Sequence, residues 1–209
     1  MKMDKLEFSG IILGVQPRIK LIRSFDESSH NYLGYNLFLD GLIEDHNRKY
    51  IVAIGKGTQN KFKLQAGQKI KGLCSPVKDQ KNEIAEYYKV SRLQLIDSYV
   101  LENEPPPYLE QPRDLEIYRE RGHRRLSARS YDTKCQFCHW ACKMPVKIFV
   151  DQWDHSNIKN RFETFCYGPK CCKFYKAGPT RKVPGRKGMV WEEEDWIDEE
   201  ATSHRGPDD

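Results

Sequence analysis

The sequence predicts a mainly β protein with some helix, in which a small Greek-key barrel is followed by a second, cysteine-rich part. Two observations lead to this prediction. The first hundred residues contain five segments in which apolar and polar residues alternate, as they do along half-buried strands. Six of the seven cysteines and all four tryptophans come after residue 130, so the two halves of the chain differ in chemistry.

The five alternating segments are separated by Gly, Asn and Asp, which are typical of turns. The first segment is long, and Gly10, Gly14 and Pro17 interrupt it, so we expect bends or bulges there. The other four are LGYNLFLDG, KYIVAIGKG, AGQKIKGLCSPV and YYKVSRLQLID. The stretch TQNKFKLQ, between the third and fourth segments, predicts a short turn or helix.

This order of segments resembles an OB-fold, which is a five-stranded Greek-key barrel. The run FKLQAGQKIKGLC resembles the segment that enters the fourth strand of many OB-folds. The resemblance covers residues 5–98 and concerns the fold alone. It implies a ligand face on the second and third strands, where OB-folds bind oligonucleotides. An SH3-like or other small barrel without a ligand is the alternative.

The cysteines form two short clusters that have the spacing of metal ligands. A C-x2-C pair directs two sulfurs toward one ion from a tight turn, and zinc takes four donors, usually as two pairs. In a reducing cytosol, clustered cysteines are more often ligands than disulfides. We predict zinc bound by Cys135, Cys138, Cys166 and either Cys171 or Cys172, with Cys142 and the remaining cysteine buried as small apolar residues.

Two other uses of the thiols remain open. An iron–sulfur cluster would take Cys135, Cys138, Cys142 and one later cysteine, although this is not a ferredoxin spacing. A redox dithiol needs a thioredoxin-like βαβ setting, which nothing around residues 135–138 indicates. Between the clusters, residues 147–168 predict a hairpin that returns the second cluster to the first. This arrangement resembles a zinc ribbon, in which the metal would stabilise a small domain.

Four regions follow from these observations. We predict an OB-like barrel over residues 1–101 and a Pro- and Arg-rich linker, partly helical, over 102–130. A Cys-rich metal-binding domain with a basic loop would cover 131–188, and an acidic helix or tail would cover 189–209. The three consecutive prolines of ENEPPPYLEQPRD favour an extended, stiff connection between the two halves.

The charge pattern predicts an anionic partner. The formal net charge is +5, and residues 170–187 carry seven basic residues and no acid. Lysine and arginine neutralise phosphates while aromatic rings stack on unpaired bases, so we predict binding of single-stranded DNA or structured RNA. The candidate contacts are aromatic and basic residues of both halves: Tyr35, Phe38, Tyr50, Lys69, Lys71, Arg92, Arg124, Arg125, Lys173, Arg181, Lys182, Arg186 and Lys187.

Other classes of protein are less well supported. No apolar run approaches the roughly 20 residues needed to span a bilayer. The N-terminal MKMDKLEFSG lacks the pattern of a signal peptide, so we expect a cytoplasmic location. No catalytic motif is present, and we assign no enzymatic activity. The alternatives are a zinc or iron–sulfur accessory or redox protein, and a protein–protein adaptor that uses the acidic, tryptophan-bearing residues 189–209.

Overall fold

The structure is a computed structural model that describes residues 5–25, 27–99, 109–151, 153–154, 156–206 and 209. It is mainly β, as predicted, with a large mixed sheet that is partly closed into a ring. The strands are β1 (Leu6–Arg23), β2 (Ser28–Ile43), β3 (His46–Ile54), β4 (Gln68–Pro76), β5 (Tyr87–Ser98), β6 (Arg124–Arg125), β7 (Ala141–Phe149), β8 (Ile158–Cys166), β9 (Arg181–Pro184) and β10 (Val190–Glu193). The helices are α1 (Lys56–Phe62), α2 (Leu115–Arg121), α3 (Ala128–Ser130) and α4 (Asp195–Ala201).

The five alternating segments of the first half form β1 to β5, which close into a ring. Neighbours follow the order β1, β2, β3, β5, β4 and then β1 again. Every pair in the ring is antiparallel except β3 and β5, which run parallel. The stretch predicted as a turn or helix is α1, between β3 and β4. Ile12, Leu37, Val52 and Ile70 are buried in the core, one from each of four strands.

Strand β1 belongs to both halves of the molecule. Its pairing with β2 shifts register between Ile12 and Gly14 and again between Arg18 and Ile19, as the predicted bulges require. Beyond the second shift, β1 still pairs with β2, and on its other edge Leu21–Arg23 pair with Val146–Ile148 of β7 in parallel. The second half of the chain therefore continues the sheet of the first half.

The hairpin predicted between the cysteine clusters is present as β7 and β8. Because β7 pairs with β1, this hairpin is part of the large sheet. A separate zinc-ribbon domain is not seen among the described residues. Residues 100–108, which contain most of the proline-rich linker, lie outside them, and the four-region division of the chain stays a prediction.

The Arg-rich segment begins with α2, which ends at Gly122 with a φ of 66°. Leu115 and Tyr118 of this helix face the core. A Cβ at Gly122 would come within 2.1 Å of the Ala201 carbonyl oxygen, so the C-terminal segment packs directly on this turn. Only glycine permits both the positive φ and the close approach.

The acidic C-terminal segment forms a strand and a short helix in place of one amphipathic helix. Strand β10 pairs with β9, and α4 follows it. Arg125 is 1% exposed, and its guanidinium contacts Asp195, the Asp198 carboxylate at 3.1 Å and the Glu193 carbonyl at 2.7 Å. The Glu193 carboxylate lies 2.9 Å from Arg23. Part of the acidic charge of this segment is thus neutralised by ion pairs with arginines inside the fold.

Across the described part of the chain, no helix is both long and apolar enough to traverse a lipid bilayer.

Candidate nucleic-acid interface and thiol cluster

The C-x2-C turn of residues 135–138 packs on the outside of the barrel. The buried Gln16 amide of β1 donates to the carbonyl oxygens of Cys135, Gln136 and Cys138, each at 3.0 Å. The Tyr131 hydroxyl donates to the Gln16 side-chain oxygen at 2.8 Å. A single side chain of the first half therefore holds the backbone of this turn.

The two cysteine clusters meet at one end of the β7–β8 hairpin. Ala141 pairs with Cys166 across the hairpin, so the chain before β7 and the chain after β8 come together. The pKa of Cys135 is raised to about 12, chiefly by burial and to a lesser extent by the nearby thiols of Cys166 and Cys172. The Gly168 N–H donates to the Cys166 sulfur at 3.4 Å. The structure thus places the thiols of Cys135, Cys166 and Cys172 near one another.

One of the six predicted ligands, Cys142, belongs to the core. The Cys142 thiol is fully buried and donates to the Pro17 carbonyl oxygen at 3.2 Å, a bond that requires the protonated form. It is therefore a core residue, as the zinc prediction allows, and the iron–sulfur prediction loses its third ligand. Cys171 is exposed, whereas Cys172 is half-buried.

The thiols as they lie do not form a finished metal site. Within the described residues, no three side chains of His, Cys, Asp or Glu are grouped so that they could hold a metal ion. The chemistry of the donor set still suits zinc, because the thiols are soft ligands brought to one place by two turns. Binding would require them to approach one another more closely.

The aromatic residues predicted to stack on bases are part of the core. Tyr35, Phe38 and Tyr50 are 0%, 5% and 2% exposed. The Phe38 ring packs against Phe137 of the C-x2-C turn, with centroids 5.8 Å apart. A Cβ at Gly14 would lie 2.4 Å from the Phe137 carbonyl oxygen, so the turn covers this side of the barrel. We therefore remove these three rings from the candidate interface.

Three of the predicted basic contacts are structural. Besides the buried Arg125, the Arg124 guanidinium lies 3.9 Å from the centroid of the Tyr175 ring and donates to the Pro169 carbonyl. Arg181 is buried with the Glu163 carboxylate at 3.2 Å. These cations already have partners, so they are not free to bind phosphate.

The other predicted cations are divided between two surfaces. Lys69 is half-buried on β4, and Lys71 and Arg92 line a groove of about 650 Å³ on the barrel wall. Three acids, Glu7, Glu44 and Asp45, line the same groove and offset its positive charge. The remaining predicted cations, all exposed and in the C-terminal part, are Lys173, Lys182, Arg186 and Lys187; Lys182 pairs with Glu192 and Arg186 with Asp151.

A different surface combines lysines with aromatic rings that are exposed or half-buried. Side chains that lie directly opposite on paired strands point to the same face of a sheet. Ile22 of β1 is opposite Lys147 of β7, and Pro145 of β7 is opposite Phe162 of β8. We call this side of the β1–β7–β8 sheet the platform face. Its outward side chains are Lys20, Ile22, Lys143, Lys147, Phe149 and Phe162.

Cations and rings alternate closely on the platform face. The Lys143 ammonium lies 5.9 Å from the centroid of the Phe162 ring, and the Lys147 ammonium lies 4.8 Å from that of Phe149. Phe162 is 42% exposed. The opposite side of the sheet is covered, since Glu163 of β8 pairs there with Arg181 of β9. The platform face is more exposed than the opposite face, although Pro145 and Thr164 on it are buried.

A loop of the barrel borders the platform face. The connection between β4 and β5 contains a 3-10 turn, Gln80–Asn82, that lies close to β7 and β8. Glu83, which follows this turn, pairs with Arg18 and lies 3.5 Å from the Lys20 ammonium. Lys78 and Lys81 are exposed on the same loop.

Sequence reasoning missed the platform face although a signal was present. In KMPVKIF, residues 143–149, the buried Met144, Val146 and Ile148 alternate with outward side chains. This alternation predicted a strand. The clustering of its outward residues with Phe162 depends on the hairpin register, which the sequence alone does not specify.

No family model, curated protein or solved structure matches the chain in the comparisons made with known proteins.

Proposed function

We propose that this protein binds single-stranded nucleic acid on the platform face. The observation on which the proposal rests is the pairing of two rings with lysines on the more exposed face of the sheet: the exposed Phe162 with Lys143, and the half-buried Phe149 with Lys147. Base–aromatic stacking tolerates any sequence, and it works only where bases are unpaired. The ammonium groups beside the rings are positioned to neutralise phosphates of the same strand.

The topology of the barrel supports this proposal. The closed order β1, β2, β3, β5, β4, with a helix before β4, resembles the Greek-key barrel of OB-folds. In OB-folds, the loop between the fourth and fifth strands helps to bind oligonucleotides. The corresponding loop here borders the platform face and carries the exposed Lys78 and Lys81. The ligand surface would thus extend from the barrel onto the β7–β8 hairpin.

The proposal includes a structural zinc ion. We assign as ligands Cys135, Cys138, Cys166 and Cys172, because the thiol of Cys172 lies near those of Cys135 and Cys166. Zinc bound there would tie the C-x2-C turn to the end of β8 and would have no chemical role. Cys142 is buried in the core, so its position gives no support to the iron–sulfur alternative or to the redox alternative.

Replacing Phe162 with alanine is expected to weaken binding of a short unstructured oligonucleotide. Loss of one stacked base costs about 1–3 kcal/mol, or about 5- to 150-fold in affinity. Fluorescence anisotropy with labelled DNA and RNA of equal length measures the change and compares the two nucleic acids. The side chain is solvent-exposed, so the substitution is expected to preserve the fold.

Tyr99 provides the matched control, because its ring is 44% exposed but lies at the end of β5, outside the platform face. Tyr99→Ala is expected to leave the affinity unchanged. Equal effects of the two substitutions, or no binding by the unmodified protein, would contradict the proposed function. Absence of binding would favour the adaptor hypothesis for residues 189–209.

A further inference from the structure

Two arginines are held beside the turn that follows Cys166. Arg124 donates to the Pro169 carbonyl oxygen at 3.0 Å, and Arg205 donates to the Gly168 carbonyl oxygen at 3.1 Å. The Gly168 N–H in the same turn donates to the Cys166 sulfur at 3.4 Å. Arg124 is also directly opposite Cys166 in the pairing of β6 with β8, so the two side chains point to the same face of the sheet. Both arginines are therefore neighbours of one predicted zinc ligand.

These two arginines differ from the buried arginines of the ion-pair network because they have no carboxylate partner. Arg23, Arg125 and Arg181 each pair with a carboxylate. Within the described residues, neither Arg124 nor Arg205 forms an ion pair, although Arg205 is only 5% exposed. The Nε of Arg124 and the Nε and Nη2 of Arg205 are buried without a hydrogen-bond partner in that part of the chain. A buried cation without a counter-charge is strongly destabilising, so this arrangement requires a negative group.

The negative group must come from inside the fold, because a phosphate in solution cannot reach nitrogen atoms that are inaccessible to solvent. The Cys166 sulfur is the candidate. The pKa of the Cys166 thiol is raised, chiefly by burial, but the charges of Arg124 and Arg205 act in the opposite direction. Burial and the charges of two neighbouring arginines lower the pKa of Arg205, and the Cys166 sulfur opposes this more than Asp209 does. Arg205 therefore interacts more strongly with the thiol than with the nearest carboxylate.

A zinc ion would give these arginines the negative charge that they lack. Zinc with four thiolate ligands carries two excess negative charges, which two guanidinium groups without carboxylates would balance. We propose that Arg124 and Arg205 are positioning residues of the zinc site, which neutralise its thiolates and offer them N–H donors; the inference rests on the zinc ion of the proposed function. Groups that support metal ligands in this way hold them in place and adjust the affinity for the metal.

Competition between the protein and a colorimetric zinc chelator measures the effect of these arginines on zinc affinity. Arg124→Met and Arg205→Met are each expected to weaken zinc binding by about 10- to 100-fold, the usual effect of removing a group that supports metal ligands. Arg205→Lys keeps the positive charge, so it is expected to recover part of the affinity that Arg205→Met loses. If the lysine variant bound zinc no better than the methionine variant, the charge of Arg205 would not support the site.

Arg121 provides the matched control, because it binds the same turn but already has a carboxylate partner. Its Nε donates to the Tyr167 carbonyl oxygen at 2.9 Å, and its guanidinium pairs with Asp209. Arg121→Met is therefore expected to leave the zinc affinity close to that of the unmodified protein. Equal losses in the methionine variants of Arg121, Arg124 and Arg205 would show that contact with the turn is what matters, and would overturn the inference.

A second measurement uses the unmodified protein, so its result does not depend on the folding of a variant. The NMR signals of the Nε–H groups of Arg124 and Arg205 are expected to shift when zinc is added, because these groups gain a negative neighbour. The signal of Arg121 is expected to shift less, since its Nε–H is already bonded to a carbonyl. Zinc binding without a shift of the first two signals would overturn the inference and leave the zinc ion in place. Failure to bind zinc at all would overturn both.

Discussion

Replacing Arg125 with methionine is expected to lower the free energy of unfolding by about 3–5 kcal/mol, the usual effect of removing one partner of a buried ion pair. Arg125 is 1% exposed and joins β6 to the C-terminal segment through Asp198 and the Glu193 carbonyl. Burial raises the pKa of Asp198, and Arg125 opposes this rise. Without the guanidinium, a buried carboxylate would have no counter-charge.

The exposed pair Lys182–Glu192 on the neighbouring β9–β10 hairpin provides the control. Lys182→Met is expected to change the free energy of unfolding by about 1 kcal/mol or less, as for most surface pairs. Urea unfolding of both variants measures the difference. Equal, small losses would show that Arg125 is not a structural anchor.

This network changes the interpretation of residues 189–209. The sequence predicts an acidic helix or tail over residues 189–209. In the structure, Glu193 pairs with Arg23, and Asp198 pairs with Arg125. Removing the segment would leave the buried Arg125 without a carboxylate and Arg23 with Glu163 alone, so truncation is expected to destabilise the fold. The segment is held by the same ion pairs that hold β6.

Purified protein is expected to contain about one zinc ion per chain, and its removal by a chelator is expected to cause the largest loss of stability. Structural zinc contributes about 10–16 kcal/mol in zinc-finger peptides. Here Gln16 and Tyr131 also support the C-x2-C turn, so we expect partial unfolding of the β7–β8 end. Elemental analysis and thermal unfolding with and without chelator measure both quantities.

The adjacent Cys171 and Cys172 provide a matched test of the ligand assignment. Cys172→Ser is expected to lower zinc content and stability, whereas Cys171→Ser is expected to change neither, because Cys171 is exposed. Metal-free protein with unchanged stability after chelation would contradict the zinc proposal. A reversed effect of the two substitutions would contradict the choice of ligand.

The strands were predictable because alternation is a local property of the sequence. Val52 and Ile70 belong to segments that period-two spacing predicted as strands, and they are buried in the ring. The β7–β8 hairpin was predictable for the same reason. Its pairing with β1 was not, since the contact between Ile22 and Lys147 joins residues that are far apart in the chain.

The candidate site was harder to predict because residue type does not reveal exposure. Tyr35 and Tyr50 looked like stacking rings, yet their hydroxyls donate to the backbone carbonyls of Arg113 and Ser9 inside the fold. Arg125 looked like a phosphate contact and is a buried ion-pair partner. Conversely, Phe162 looked like an ordinary hairpin residue, and tertiary pairing leaves it 42% exposed.

The most direct test of the platform face is the salt dependence of oligonucleotide binding. Each phosphate contact on a single strand contributes about 0.7 to the slope of log affinity against log salt. The double variant Lys143→Gln, Lys147→Gln is expected to have a slope about 1.4 shallower than that of the unmodified protein. Lys159→Gln, on the same hairpin but outside the platform face, should leave the slope unchanged. If the double variant kept the full slope, the strand would not lie on this face.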